Sequence, residues 1–225
     1  MTGMAGAAVL ESGPGWTLWR AASGVLVEVA DDLAGVLPPS ATVGVVATVW
    51  PRGRWTFTFR GTPLPYEAPM AVRADPLLTC AMTVLAAAKQ AKVHADDGVR
   101  ATFGEVATRE PDHGFTTESA AGVLDVRAPR EHDRDAVVDA VLASARARAE
   151  RDRTRVEVDA DEIHGPLELD ALATGTLVDV LGAAEVGSPG ADRAAHAARR
   201  GEPAVALVLR ERDDRLVRTA LGALG

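Results

Sequence analysis

VGVVATVWPRGRWTFTFRG, residues 43 to 61, together with ADPLLTCAMTVLAAAKQAKVHA, residues 74 to 95, carries the reading of the whole chain. Trp55, Phe57 and Phe59 alternate with Thr56, Thr58 and Arg60, the period of two that marks a strand with one buried face. Pro51-Arg52-Gly53-Arg54 reads as a turn joining this strand to the run Val43 to Trp50, which makes a β-hairpin. The second segment reads as a helix. Asp75 suits its N-cap and Pro76 its first turn, and Leu77, Leu78, Ala81, Met82, Val84, Leu85 and Ala88 form a broad apolar face for the hairpin to pack on.

Working outward, Ala7 to Glu11, Trp16 to Arg20 and Gly24 to Ala30 are three strand-like pieces punctuated by Gly, Ser and Pro, and Leu37-Pro38-Pro39-Ser40 is a linker. Beyond the helix, Val99 to Thr108 and Ser119 to Ala128 read as strands around the loop Arg109 to Glu118. Asp133 to Arg151 is a second helix, with Ala136, Val137, Ala140, Val141, Ala143 and Ala147 inward, and Thr154 to Asp159 alternates again. From Trp55 onward the order is strand, helix, strand, strand, helix, strand, the split β-α-β arrangement of a ferredoxin-like layer. The C-terminal part reads as a helix from Leu167 to Ala183, a loop through Glu185 to Gly190, a short helix ending at Arg199, a buried strand Ala204 to Leu209 and a last helix from Asp213. The fold class expected is therefore α+β. Residues 43–160 form the ferredoxin-like module, and residues 1–42 and 161–225 form a small α/β layer.

The 225 residues, 47% of them hydrophobic, suffice for one large or two small cores. A net charge of −8 with arginines dispersed among acids argues against a general nucleic-acid surface. The single cysteine, Cys80, excludes an internal disulfide and a cysteine-rich zinc site, and its position inside the helix suggests a packed thiol. The start MTGMAGAAVLESGPGW has no basic n-region, and no apolar run approaches the roughly 20 residues of a membrane span, so a cytoplasmic protein without membrane contact is expected.

VGVVATVWPRGRW, ADPLLTCAMTVLAAAKQA, RATFGEVA and LDVRAP resemble, in order and spacing, the lid or dimerisation domain of the zinc-dependent amidohydrolases that include allantoate amidohydrolase and N-carbamoyl-L-amino-acid hydrolase. The resemblance implies a lid inserted into a catalytic domain with two zinc ions. It expects a histidine followed two residues later by a glutamate in the last strand before the lid, where this chain has Val29 and Asp31. It expects Gly-His-Asp near the C-terminus, where this chain has Gly190-Ala191-Asp192. A valine or an alanine cannot ligate zinc, so no metal and no other cofactor is expected.

Of the substrate contacts that the resemblance implies, the His and Asn positions are not filled, and the arginine remains as Arg127 in LDVRAP. It would grip a small carboxylate through two parallel hydrogen bonds; the alternative is a surface arginine paired with Asp125 or Glu131. Tyr66 and Glu67 in the Pro-rich loop, and Asp112 and His113 in the later loop, are the polar groups that the resemblance would bring toward one cleft with Arg127. A His beside a carboxylate can act as a general acid or base, although such loops are as often only hydrated. His94, His132 and His164 read as surface or capping residues, and His196, five residues beyond Ala191, is placed to replace the lost ligand but has no companion in the sequence. Three functions stay open: a degenerate homologue, or pseudoenzyme, that keeps homodimerisation through the lid and small-carboxylate binding; a repurposed metal-free enzyme acting on a small metabolite; and a regulatory partner of an active full-length amidohydrolase.

Overall fold

The computed structural model describes residues 6–225. In chain order its elements are β1 (Ala8–Gly13), β2 (Trp16–Arg20), β3 (Leu26–Asp31), β4 (Val43–Val49), β5 (Arg52–Arg60), a 3₁₀ turn (Met70–Val72), α1 (Pro76–Val93), β6 (Arg100–Arg109), β7 (Ser119–Arg127), α2 (Glu131–Asp152), β8 (Arg155–His164), β9 (Leu167–Glu168), α3 (Ala171–Leu181), β10 (Ala184–Ser188), α4 (Asp192–Arg199), β11 (Ala204–Leu209) and α5 (Asp214–Ala223). They form two units, one from residues 1–50 and 166–225 and the other from residues 51–165.

The first unit holds a seven-stranded mixed sheet in the order β1-β2-β3-β11-β4-β10, with β9 also paired to β4. β11 runs parallel to β3 and antiparallel to β4, and β10 runs parallel to β4. Strand β11, AVALVL, is buried at every position because helices cover both faces of the sheet. Val205, Leu207 and Leu209 pack with Val27, Val29, Leu177 and Leu221 on the side of α3 and α5. Ala204, Ala206 and Val208 pack with Ala191, Ala194, Ala195 and Ala197 on the side of α4.

The second unit is a four-stranded antiparallel sheet in the order β6-β7-β5-β8, the ferredoxin-like order expected from the sequence. Trp55, Phe57, Phe59, Leu124 and Val126 face Cys80 and Ala87 of α1 and Val137, Val141 and Ala145 of α2. Asp75 caps α1 by accepting from the Leu77 N–H at 3.0 Å, as its position suggests. Gly61 is required where β5 ends, since a Cβ there would lie 2.0 Å from the carbonyl oxygen of Ala74 and 2.6 Å from Pro76.

Four expectations need correction. Val43 to Trp50 and the strand after it are not a hairpin: β4 pairs with β9, β10 and β11, while β5 pairs with β7 and β8. The physical reason lies in the patterns themselves. VGVVATV is a nearly continuous apolar run suited to burial on both faces, and RGRWTFTFR alternates for a sheet covered on one face only. The units accordingly meet in sequence at Trp50/Pro51 and Gly165/Pro166 instead of 42/43 and 160/161. Most of the loop expected from Glu185 to Gly190 is instead β10 (Ala184–Ser188), a short Gly-containing strand held by its parallel pairing to β4. Helix α1 buries Pro76, Thr79, Cys80, Thr83 and Ala87, whereas Leu77, Leu78, Met82 and Leu85 are 40 to 63% exposed. In α2 the buried stripe is Val137, Val138, Val141, Ala145 and Ala149, and Ala136, Ala143 and Ala147 face outward. In α1 small and apolar residues lie nearly all round, and in α2 the alanines are spread around the helix among many charges, so neither sequence carries a period strong enough to choose a face.

Candidate functional site

Tyr66, Glu67, Asp112 and His113 stand on two neighbouring loops at one end of the four-stranded sheet. The loops are stitched by the Tyr66 N–H donating to the Gly114 carbonyl at 2.8 Å, the Thr116 N–H to the Leu64 carbonyl at 2.8 Å and the Leu64 N–H to the Thr116 hydroxyl at 2.9 Å. All four candidates are exposed. The Asp112 carboxylate accepts from the His113 backbone N–H at 2.7 Å, an Asx-type local bond, so it is turned to the main chain and not to the imidazole. A carboxylate that does not orient the ring does not make the acid–base pair that the sequence suggested.

Arg127 lies elsewhere. Strand β7 starts beside these loops at Ser119 and ends at Arg127, and eight steps of roughly 3.4 Å separate the two ends by about 27 Å. The single cleft expected for all five residues is therefore not formed within this unit. Arg127 forms the ion pair with Asp125 that the alternative reading named, Nε to Oδ1 at 2.8 Å and Nη2 to Oδ2 at 3.3 Å, with both side chains partly buried. This two-point contact fixes the plane of the guanidinium at the end of the open sheet face.

In the first unit a pocket opens where β3 ends and α4 begins. Trp16, Glu28, Asp31, Asp32, Asp192 and Arg193 are among its lining residues. Glu28 was not singled out from the sequence. It is 4% exposed, and one of its oxygens accepts from the backbone N–H groups of Arg193 and Ala194, both at 2.9 Å. Burial pushes its carboxyl above the usual range, the Asp192 charge adds to this, and the α4 N–H bonds with the Arg193 charge work against it. Its side chain thus caps α4, whose own N-cap residue, Ala191, offers none and sits in the left-handed region at φ 61°. The signal was an isolated acid in the otherwise apolar run VLVEVA. The Arg193 guanidinium lies 3.9 Å from the centroid of the Trp16 ring, and the Asp32 carboxylate accepts from the Val36 and Leu37 N–H groups at 2.8 and 3.2 Å.

The positions at which the resemblance expects zinc ligands do not suit a metal. Val29 is 1% exposed in the apolar packing beneath α3 and α5, and Ala191 is 6% exposed on the α4 side of the same sheet. Among the described residues no group of three or more His, Cys, Asp or Glu side chains could hold a metal ion. His94 pairs with Asp97 at 3.2 Å, His132 lies 3.4 Å from Asp133, and His196 is exposed on α4. The Cys80 thiol is buried against the sheet, and burial raises its pKa, which makes it a packing group. Among the described residues no helix is long and apolar enough to cross a membrane.

No family model and no curated protein matches the sequence. Solved structures do match the fold. An amidase of the hydantoinase/carbamoylase family from Burkholderia vietnamiensis superposes with a TM-score of 0.73 at 16% identity, over 88% of this chain and 52% of that one. The chain carries an amidohydrolase-type fold. AtUAH in complex with (S)-hydroxyglycine gives a TM-score of 0.72 at 16% identity over 88% of this chain and 52% of its own. A hydantoinase/carbamoylase family amidase from Burkholderia ambifaria gives 0.68 at 18% identity, again over 88% and 52%. The chain thus spans about half the length of each of these proteins. At such identities the likeness is one of fold, and the whole proteins' activity does not follow from it.

Proposed function

We propose that this chain is a degenerate relative of the zinc-dependent amidohydrolases that does not carry the dinuclear zinc site and works as a dimeric, small-carboxylate-binding protein. One observation carries the reading. Val29, where a histidine ligand is expected, is packed among Val27, Leu177 and Leu207 inside an apolar core, and an imidazole there would have neither room nor a partner. Ala191 adds a second, independent loss at the other expected ligand.

Support for dimerisation comes from α1 and its neighbour β6. Leu77, Leu78, Met82 and Leu85 are exposed on one helix, and Leu77, Leu85 and Val106 of the edge strand β6 line a shared apolar depression. An open strand edge beside an apolar helix face is self-complementary about a two-fold axis, so a second copy of the chain is the occupant that fits. Carboxylate binding rests on Arg127, whose fork is oriented by Asp125. The loop acids and His113 favour a metal-free enzyme less, because Asp112 does not engage the imidazole.

Elemental analysis of the purified chain tests the proposal, with allantoate and N-carbamoyl amino acids offered as substrates. Less than about one-tenth of a zinc per chain after dialysis against a weak chelator, and no hydrolysis, is expected. About one zinc per chain, retained, would overturn it.

A further inference from the structure

Glu28 spends one of its two carboxylate oxygens on α4: the backbone N–H groups of Arg193 and Ala194 both donate to Oε2. Among the described residues no hydrogen bond reaches its Oε1, although the residue is only 4% exposed. A carboxylate oxygen sheltered from bulk water and given no protein donor is costly to keep. Oε1 is not sealed in, and the space open to it is the pocket at the end of β3, about 220 Å³, that Glu28 lines.

The surroundings select the sign of a ligand. Helix N-termini attract anions through their free N–H groups, but here Glu28 has taken those of Arg193 and Ala194. Arg193, the only base among the lining residues, is turned to other groups: its guanidinium lies 3.9 Å from the Trp16 ring centroid and 3.9 Å from Glu11. Asp31 and Asp192 line the same pocket, and the Asp192 charge is close enough to act on Glu28. An anion entering here would meet a field of carboxylates, whereas a cation would be drawn to Oε1. Trp16, Val36 and Leu33 supply apolar wall, and Leu33, 87% exposed, leaves part of it standing in solvent at the rim.

We infer that this pocket binds a small primary amine as its ammonium ion, the head group donating to Oε1 of Glu28 in the field of Asp192 and Asp31, and a short carbon chain lying along Trp16, Val36 and Leu33. An ammonium has donors and no acceptor, which suits a site whose own nearby donors are already committed. The volume is below the roughly 300 Å³ at which pockets for drug-sized ligands begin, so a molecule of a few carbons fits. A metal ion fits less well, since among the described residues no three ligating side chains come together. The site is independent of Arg127, which belongs to the other unit.

The test is calorimetric titration of the full chain with n-butylamine and with its neutral counterpart n-butanol, at fixed ionic strength and about pH 8, where an alkyl ammonium is still charged. The parent should bind the ammonium at least about tenfold more tightly than the alcohol, the scale of one charge-assisted pair. Glu28→Gln is the decisive variant. Glutamine keeps a carbonyl oxygen for the α4 cap and puts an NH₂ donor where Oε1 stood, so the chain should stay folded in urea while the preference for the ammonium disappears. Asp192→Asn, which removes only the neighbouring charge, should weaken the ammonium by about threefold or more and leave the alcohol unchanged. Glu185→Gln, the same charge change at an exposed position of β10, should alter neither ligand. A parent that binds both ligands equally, or neither, overturns the inference, as does a folded Glu28→Gln chain that keeps the preference. Should Glu28→Gln fail to fold, Asp192→Asn decides, and a preference equal to the parent's overturns it.

Discussion

Glu28 is the sharpest place to test how the first unit is held together. Its carboxylate is the side-chain cap of α4, receiving the Arg193 and Ala194 N–H groups, and Ala191 at the N-cap cannot replace it. Glu28→Ala leaves two donors at the buried start of a helix without that acceptor. At about 1–3 kcal/mol for each unsatisfied group, less what is regained by no longer burying a charge and by water entering the adjacent pocket, the net loss should be about 2–4 kcal/mol. Glu28→Gln keeps an acceptor oxygen of the same reach and should cost under about 1 kcal/mol at pH 7. The two variants separate further with pH. Because burial raises the native pKa above the ordinary 4.5, the folded chain holds this proton more tightly than the unfolded chain. Stability therefore declines as pH rises from 4.5 through the native pKa, and that contribution is at its fullest below 4.5. Glutamine abolishes this component, so the parent-minus-variant difference should shift against the parent across that window. Urea unfolding followed by tryptophan emission, at half-unit steps from pH 4.5 to 8, measures it. An alanine variant as stable as the parent, or a glutamine variant as damaged as alanine, would refute the capping account.

Val29→His should destabilise the chain by about 2–4 kcal/mol and recruit no zinc, because it buries an imidazole in an apolar cluster, as thermal melting with and without added zinc will read. Leu85→Asp, on the exposed face of α1, should convert a dimer to a monomer in light scattering while shifting the melting temperature by only a few degrees; a parent that is already monomeric removes the dimer proposal. Thr79→Val should cost about 1–3 kcal/mol in urea, since the buried Thr79 hydroxyl lies 3.0 Å from the Thr154 hydroxyl and 3.1 Å from Asp152 between α1 and α2.

The ferredoxin-like unit was legible because its strands alternate and its first helix announces its start at Asp75 and Pro76. What could not be read locally was partnership. Nothing in VGVVATV states that its neighbours will be β10 and β11, whose sequences lie more than a hundred residues downstream, and a Pro-Arg-Gly-Arg segment between two strands resembles a hairpin turn whether or not the strands pair. The burial of α1 failed for a different reason. Thr79 and Thr83 are polar letters that face inward because their hydroxyls are satisfied there, and the larger leucines remain outside. The expected site separated in the same way. Tyr66 and His113 came together through loop pairing, but Arg127 belongs to the far end of its strand, and the company it keeps in Arg52 and Arg100 exists only in the register.

The segment 51–165 enters its sheet at Arg52 and leaves it at His164, and those two residues are direct cross-strand partners. The severed ends of the other unit meet too, for Val49 of β4 pairs with Leu167 of β9. A module whose entry and exit are adjacent, set into a host whose cut ends are also adjacent, is a cassette. Excised, it should fold as an independent protein, and the gap it leaves should be closable by a two-residue turn such as Asn-Gly linking β4 to β9. Gene surgery at Trp50/Pro51 and Gly165/Pro166 therefore offers two small proteins in place of one, each free to be recombined with other hosts or inserts.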